Sequence, residues 1–149
     1  CGRTDPTGAP LIDAGRITKR AFISPDGHVL TASAVAFSGH GTLYVSSVFN
    51  GVVAEYTAQG RYIRDVLAPP LGLPIGQLTG ITPFGLAVAP DGTLFVADLG
   101  VVLAGPVDGE GSVVAVRFDA GGRPRPPVVV DENLTFPDGL GIVTLPGAP

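Results

Sequence analysis

PFGLAVAPDGTLFVADLG, residues 83–100, packs two short apolar runs around one tight turn. Leu86 and Val88 in the first run, and Leu94 and Val96 in the second, alternate with small residues and Phe95. That is the pattern of strands buried on both faces. Ala89-Pro90-Asp91-Gly92 separates them. Proline pre-sets φ for the second position of a type I turn, aspartate suits the third, and glycine takes the positive φ that returns the chain to an antiparallel partner. The stretch reads as a β-hairpin.

The same features recur on both sides. Ala34-Val35-Ala36-Phe37 and Gly41-Thr42-Leu43-Tyr44-Val45 lie over Gly85-Leu86-Ala87-Val88 and Gly92-Thr93-Leu94-Phe95-Val96, at an offset of 51 residues. Tyr56-Thr57-Ala58-Gln59-Gly60-Arg61 lies over Phe118-Asp119-Ala120-Gly121-Gly122-Arg123, at an offset of 62. The second copy therefore carries 11 extra residues, assigned to residues 101–110 between its second and third strands. A third copy opens at Pro137-Asp138-Gly139-Leu140-Gly141-Ile142, over Pro83-Phe84-Gly85-Leu86-Ala87-Val88.

Each complete copy offers four strands, at residues 34–37, 42–48, 51–57 and 61–67, then at 85–88, 93–98, 112–118 and 126–130. Residues 17–27 (ITKRAFISPDG) read as a further strand and turn, the outer part of an earlier repeat. Repeats of four antiparallel strands, roughly 40–50 residues long, are the signature of β-propeller blades. The expected fold is all-β, a partial propeller over residues 16–149, with blades at 30–68 and 83–131 and the start of another at 136–149. Blades bury their faces against one another, so two or three do not close a ring. The chain then belongs to a larger propeller, oligomerises, or leaves blade faces exposed.

Composition agrees. The 149 residues include 22 glycines and 15 prolines, about a quarter of the chain, close to the level of disordered sequences. Yet 45% of residues are hydrophobic and sit in strand-length runs between turn dipeptides, which indicates many short strands. No window sustains the apolar spacing of a helix. The net charge is −4 and the nine basic residues are scattered, without the basic stripe that nucleic acid requires. Residues 66–90 carry no charge, but prolines 69, 70, 74, 83 and 90 and four glycines interrupt them. They read as a loop leading into a strand, not a transmembrane segment.

The single cysteine is Cys1, so no disulfide forms within the chain. Two readings of it compete. Either Cys1 is the lipid-modified first residue of a bacterial lipoprotein, with residues 1–15 as a flexible tether, or the sequence is a fragment whose boundary fell there. The first reading places the protein outside the cytoplasm, in the periplasm or on the cell surface.

Pro83-Phe84-Gly85-Leu86-Ala87-Val88 followed by Asp91-Gly92-Thr93-Leu94-Phe95-Val96-Ala97-Asp98 resembles an NHL-type repeat. Phe136-Pro137-Asp138-Gly139-Leu140 resembles the strand opening of the gluconolactonase/regucalcin-like (SGL) family. Both resemblances imply a six-bladed propeller over roughly residues 30–145. The SGL resemblance also implies a divalent cation, such as calcium, zinc or manganese, at the mouth of the central channel. In those lactonases a glutamate, an asparagine and an aspartate from different blades hold it, and it polarises a lactone carbonyl and activates water. Carried over by residue, Asp138 matches the aspartate. Phe84 stands at the asparagine position and Ser33 one blade earlier, and no glutamate matches.

Asp138 is thus either a metal ligand or the aspartate of a tight turn. Asp98 ends a second strand where the NHL pattern has its aspartate, and it either bonds backbone amides between strands or meets a ligand. Its counterpart in the first repeat is Ser47, able to make a similar local bond. Asp108 and Glu110 lie in the insertion, on the connection that in such propellers faces the channel mouth, where specificity is commonly built. His40 occupies a turn position and is expected in solvent. His28 lacks a partner at metal-ligand spacing. Asn133-Leu134-Thr135 fits a glycosylation sequon at chance level. No nucleophile elbow or phosphate-binding loop is present. Three readings of function follow: a binding module for a small molecule or protein at the propeller face, a metal-dependent lactonase, or a structural repeat of a larger surface protein.

Overall fold

The structure is a computed structural model and describes residues 21–69, 81–102 and 105–143. Ten strands and no helix form among them. The first sheet contains β1 (Ala32–Phe37), β2 (Thr42–Ser47), β3 (Val52–Thr57) and β4 (Tyr62–Leu67), in chain order. The second contains β5 (Pro83–Val88), β6 (Leu94–Asp98), β9 (Gly111–Val116) and β10 (Val128–Leu134). Between β6 and β9 a small hairpin pairs β7 (Val101–Val102) with β8 (Gly105–Pro106). All pairings within both sheets are antiparallel. The two sheets are blade-like meanders of the expected kind.

The turns form for the reasons visible in sequence. Gly92 has φ 85°, its N–H donates to the Ala89 carbonyl at 2.9 Å, and the Asp91 carboxylate accepts from Thr93 N and Oγ1 at 2.9 and 3.0 Å. Gly41 and Gly60 in the first sheet and Gly122 in the second take the same positive φ in the matching turns. Glycine alone adopts this conformation without steric cost.

Strand alternation then sorts side chains between two faces. In the first sheet Leu43, Val45, Val52, Ala54 and Tyr56 form one cluster, while Tyr44, Val53 and Leu67, with Val66 at a bulge in β4, join another. The latter group meets Leu86, Leu94, Val96, Val114 and Val116 of the second sheet, and together they make the main core. Burying each such Leu or Val stabilises the fold by about 1.5–3 kcal/mol. The repeat itself sets the stacking direction. Leu43 and Val45 face away from the second sheet, whereas Leu94 and Val96, their counterparts, face back toward the first.

The contact from one repeat to the next also recurs. Ser33 Oγ donates to the Pro83 and Phe84 carbonyls at 3.2 Å, and Ser46 Oγ donates to the Phe84 carbonyl at 2.8 Å, so β1 packs on β5. One repeat later, a Cβ on Gly85 would lie 2.5 Å from the Asp138 carbonyl oxygen. The opening of the third copy therefore packs on β5 as β5 packs on β1. Gly51 and Gly111 make comparable contacts with the next copy: a Cβ on Gly51 would lie 3.0 Å from the Ile81 oxygen, and one on Gly111 would meet the Pro137 ring.

Four expectations need correction. Residues 21–27 form no strand (17–20 lie outside the described residues), and Ile23 and Val29 instead cover the outer face of the first sheet. Residues 136–143 form no strand either. The strand bounds move, with β5 beginning at Pro83 and β10 reaching Leu134. Proline is tolerated as a first strand residue, where its missing N–H breaks no interior ladder bond.

The insertion, finally, is divided. Ser47 pairs with Val52 and Asp98 with Ser112, which leaves nine extra residues in the second repeat's connection. The other two, Arg117 and Phe118, follow Val116. Val116 pairs with Leu94 as Tyr56 pairs with Leu43, but the turn bond from Thr57 N to the Arg61 carbonyl recurs only at Asp119 N and Arg123. These two residues carry the third strand's hairpin beyond the end of β6. The expected tether, residues 1–15, lies outside the described residues.

Candidate functional site

Antiparallel pairing puts the sequence candidates at one end of the sheets and the β1–β2, β3–β4 and β5–β6 turns at the other. Asp98 closes β6 opposite Pro83. Its Oδ1 accepts from Thr82 N at 2.7 Å and Gly100 N at 3.2 Å, and its Oδ2 accepts from Ser112 Oγ at 3.2 Å. One carboxylate thus joins the approach to β5, the exit of β6 and the start of β9. Ser47 makes the first of these links in the first repeat, accepting from Leu30 N at 3.0 Å and Thr31 N at 3.1 Å on the approach to β1. Even the neighbouring backbone bond repeats: Val48 N to the Thr31 carbonyl at 3.1 Å, Leu99 N to the Thr82 carbonyl at 3.0 Å.

Asp108 stands at the tip of the turn that follows β8, and Thr135 Oγ1 donates to its Oδ1. The insertion is thereby tied to the segment that opens the third copy. At its base Glu110 N donates to the Val107 carbonyl, and a Cβ on Gly100 would collide with the Glu110 backbone. Only a glycine, here at φ 71°, lets the connection close on itself. The Glu110 and Asp138 side chains are exposed and accept no hydrogen bond among the described residues. Asn133 and Phe136, at φ 61° and 51°, hold the left-handed conformation that a bulky residue rarely adopts, on either side of Thr135.

The residues at this end do not fit the metal centre that the SGL resemblance implies. Phe84 has no donor atom in its side chain, and its carbonyl already accepts from Ser33 and Ser46. Ser33 Oγ is shared with Ser46 Oγ at 2.8 Å. Among the described residues, no three His, Cys, Asp or Glu side chains gather closely enough to hold an ion. Cys1 lies outside the described residues. None of the described residues forms a helix long and apolar enough to cross a membrane.

A second feature escaped the sequence reading. At the opposite end a cleft of about 440 Å³ opens between the two sheets, lined by Tyr44, Glu55, Arg64, Thr93, Arg117 and Phe118 among others. Glu55 is 5% exposed. Its Oε2 accepts from Arg64 Nε at 2.7 Å and Nη2 at 2.6 Å, and its Oε1 accepts from Thr42 Oγ1 at 2.8 Å. Phe118 stacks on Tyr44 across the seam, ring centres 5.8 Å apart. Burial, reinforced by the Glu55 charge, pushes the Tyr44 hydroxyl up to about 12. His40 is exposed on the rim, as expected.

His28 lies elsewhere, stacked on Tyr62 at 3.5 Å, with Nδ1 3.9 Å from Asp65 Oδ1. It has an acidic neighbour in space that spacing along the chain could not reveal. Asp26 accepts from its N–H and Asn50 Nδ2 donates to its carbonyl, so residues 26–28 are clasped to the first sheet.

No family model matches the chain, and no curated protein matches it significantly.

Proposed function

We propose that this chain is part of a β-propeller of NHL/SGL-like repeats, acting outside the cytoplasm as a binding module. Its ligand or partner site lies at the end that carries the β7–β8 hairpin. The observation that carries the reading is the bond from Thr135 to Asp108. It fastens the one long departure from the repeat to the opening of the next copy, so Asp108, Glu110 and Asp138 share one end. Long connections held by a rigid sheet are where binding specificity is usually built. The recurring Ser33–Phe84 and Gly85–Asp138 contacts support propeller-like stacking. Phe84 and Ser33 speak against the lactonase.

The test is a map of backbone amide shifts of the whole chain against a library of small polar molecules and peptides. Perturbations confined to residues 98–110 and 134–139, lost when the insertion is cut to the four-residue connection of the first repeat, support the reading. Binding that leaves those residues unmoved sinks it, and calcium- or manganese-dependent lactone hydrolysis abolished by Asp138→Asn would establish the enzyme instead. A chain that binds nothing is a structural repeat.

A further inference from the structure

We propose that the cleft at the opposite end is a separate ligand site, and that its ligand is a small carboxylate carried on a flat apolar body. This goes beyond the binding-module reading and does not depend on it. The cleft exists because the second repeat departs from the first. The two residues added after Val116 carry the β9–β10 hairpin past the end of β6, and place Phe118 over the seam and Arg117 in the lining of the cleft. Its volume of about 440 Å³ suits a small molecule.

Its walls have two characters. The Tyr44–Phe118 stack supplies an aromatic surface contributed by both sheets. Arg64 and Arg117, again one from each sheet, supply guanidinium groups. Arg64 spends Nε and Nη2 on one oxygen of Glu55, which leaves Nη1 without a hydrogen bond among the described residues. Glu55 is itself filled, since its other oxygen takes the Thr42 hydroxyl. Tyr44 keeps its proton and can donate it.

The carboxylates on the rim stay ionised and already have partners, the Arg117 charge near Asp91 and those of Arg123 and Arg125 near Asp119. Asp91 accepts from Thr93 N and Oγ1, and Asp119 accepts from the Gly121 and Arg123 amides, both at 2.9 Å. These bonds hold both carboxyls below their ordinary range. The cleft thus brings two guanidinium groups and a phenol beside an aromatic surface. A carboxylate is met bidentately by guanidinium and a ring is met by a ring, which is the recognition offered here.

Isothermal titration of the whole chain with benzoate tests the assignment. Saturable one-to-one binding is expected, weaker by about tenfold or more for benzyl alcohol, which lacks the charge, and for acetate, which lacks the ring. Arg117→Gln, at an exposed position that the fold does not need, should weaken benzoate by about tenfold, the value of one charge-assisted bond. Glu132→Gln, at an exposed position on β10 outside both sites, should leave it unchanged. Absence of saturable binding at millimolar benzoate overturns the proposal. So does benzyl alcohol binding as tightly as benzoate, or an Arg117→Gln variant that binds like the parent.

Discussion

Replacing Asp98 by alanine removes the acceptor of three hydrogen bonds, a side chain that joins the approach to β5, the exit of β6 and β9. Thr82 is 1% exposed, so its amide cannot recover a bond from water. A buried donor left without a partner costs about 1–3 kcal/mol. The Gly100 amide, also buried, has a longer bond and loses less, and the half-buried Ser112 hydroxyl can turn to solvent. The sum is about 2–4 kcal/mol. With a urea slope of about 2 kcal/mol/M, the unfolding midpoint should fall by about 1–2 M at unchanged slope. Asp98→Asn keeps an oxygen for the two amides and offers its NH₂ to Ser112, so it should lose only about 0.5–1.5 kcal/mol. Asp98→Ser copies Ser47 and should fall between them. Hydrogen exchange at the Thr82 amide gives an independent reading, since it should accelerate in the alanine variant before global unfolding. An alanine variant within 0.5 kcal/mol of the parent would refute the reasoning. An asparagine variant as unstable as alanine would show that charge, not acceptor placement, holds the junction.

Gly85→Ala should cost about 1–3 kcal/mol through overpacking, because the added carbon meets the backbone of Asp138 and Gly139. Faster proteolysis within residues 136–143 should report the displacement, and Gly39→Ala, which meets nothing within 4 Å, should be neutral. Arg64→Ala leaves the buried Glu55 with the Thr42 hydroxyl alone and should cost about 2–3 kcal/mol in chemical unfolding. Replacing both Glu55 and Arg64 by leucine should restore much of that, since no buried charge is then unpaired. All three tyrosines, Tyr44, Tyr56 and Tyr62, are held above their ordinary value of 10.0, chiefly by burial. The unfolded chain therefore releases these protons first. The associated stability is fully present below about pH 10 and is lost as pH rises toward about 12. Spectrophotometric titration should show the tyrosinate steps of Tyr44 and Tyr56 displaced well above pH 10 while the protein is folded, and their appearance near pH 10 would contradict the burial of these two rings.

The four strands of each meander and the turns between them were legible because their causes are local. Proline, aspartate and glycine at fixed turn positions, and apolar alternation beside them, act within ten residues. The division of the insertion was hidden because β3 and β9 are near-degenerate: Val52-Val53-Ala54 matches Val113-Val114-Ala115 one residue away from the true register. Only the ladder to β6 fixes it. Residues 21–23 look like a strand, and their apolar character is real, but Ile23 uses it to cover a sheet face. The Glu55–Arg64 pair was hidden by a bulge. Counting back from the turn sets Glu55 opposite Ile63, whereas the shift between Glu55 and Tyr56 brings Arg64 there. Asp98 ends its strand where the repeat pattern puts it, but its three partners come from segments up to 16 residues away that no motif connects.

Side chains alternate along a strand, so a ladder can lengthen without exchanging its faces only by an even number of residues. The nine residues between β6 and β9 are odd in number, but they sit in a connection, where parity has no meaning. The two after Val116 sit at the end of a ladder, where it does. Because they are two, Phe118 keeps the face of Val116 and of the first repeat's Tyr56, and meets Tyr44. A single residue there would turn the aromatic ring to the far side of the sheet and leave Tyr44 facing a charged side chain. This repeat can grow by any length in its connections, but along its strands only in pairs.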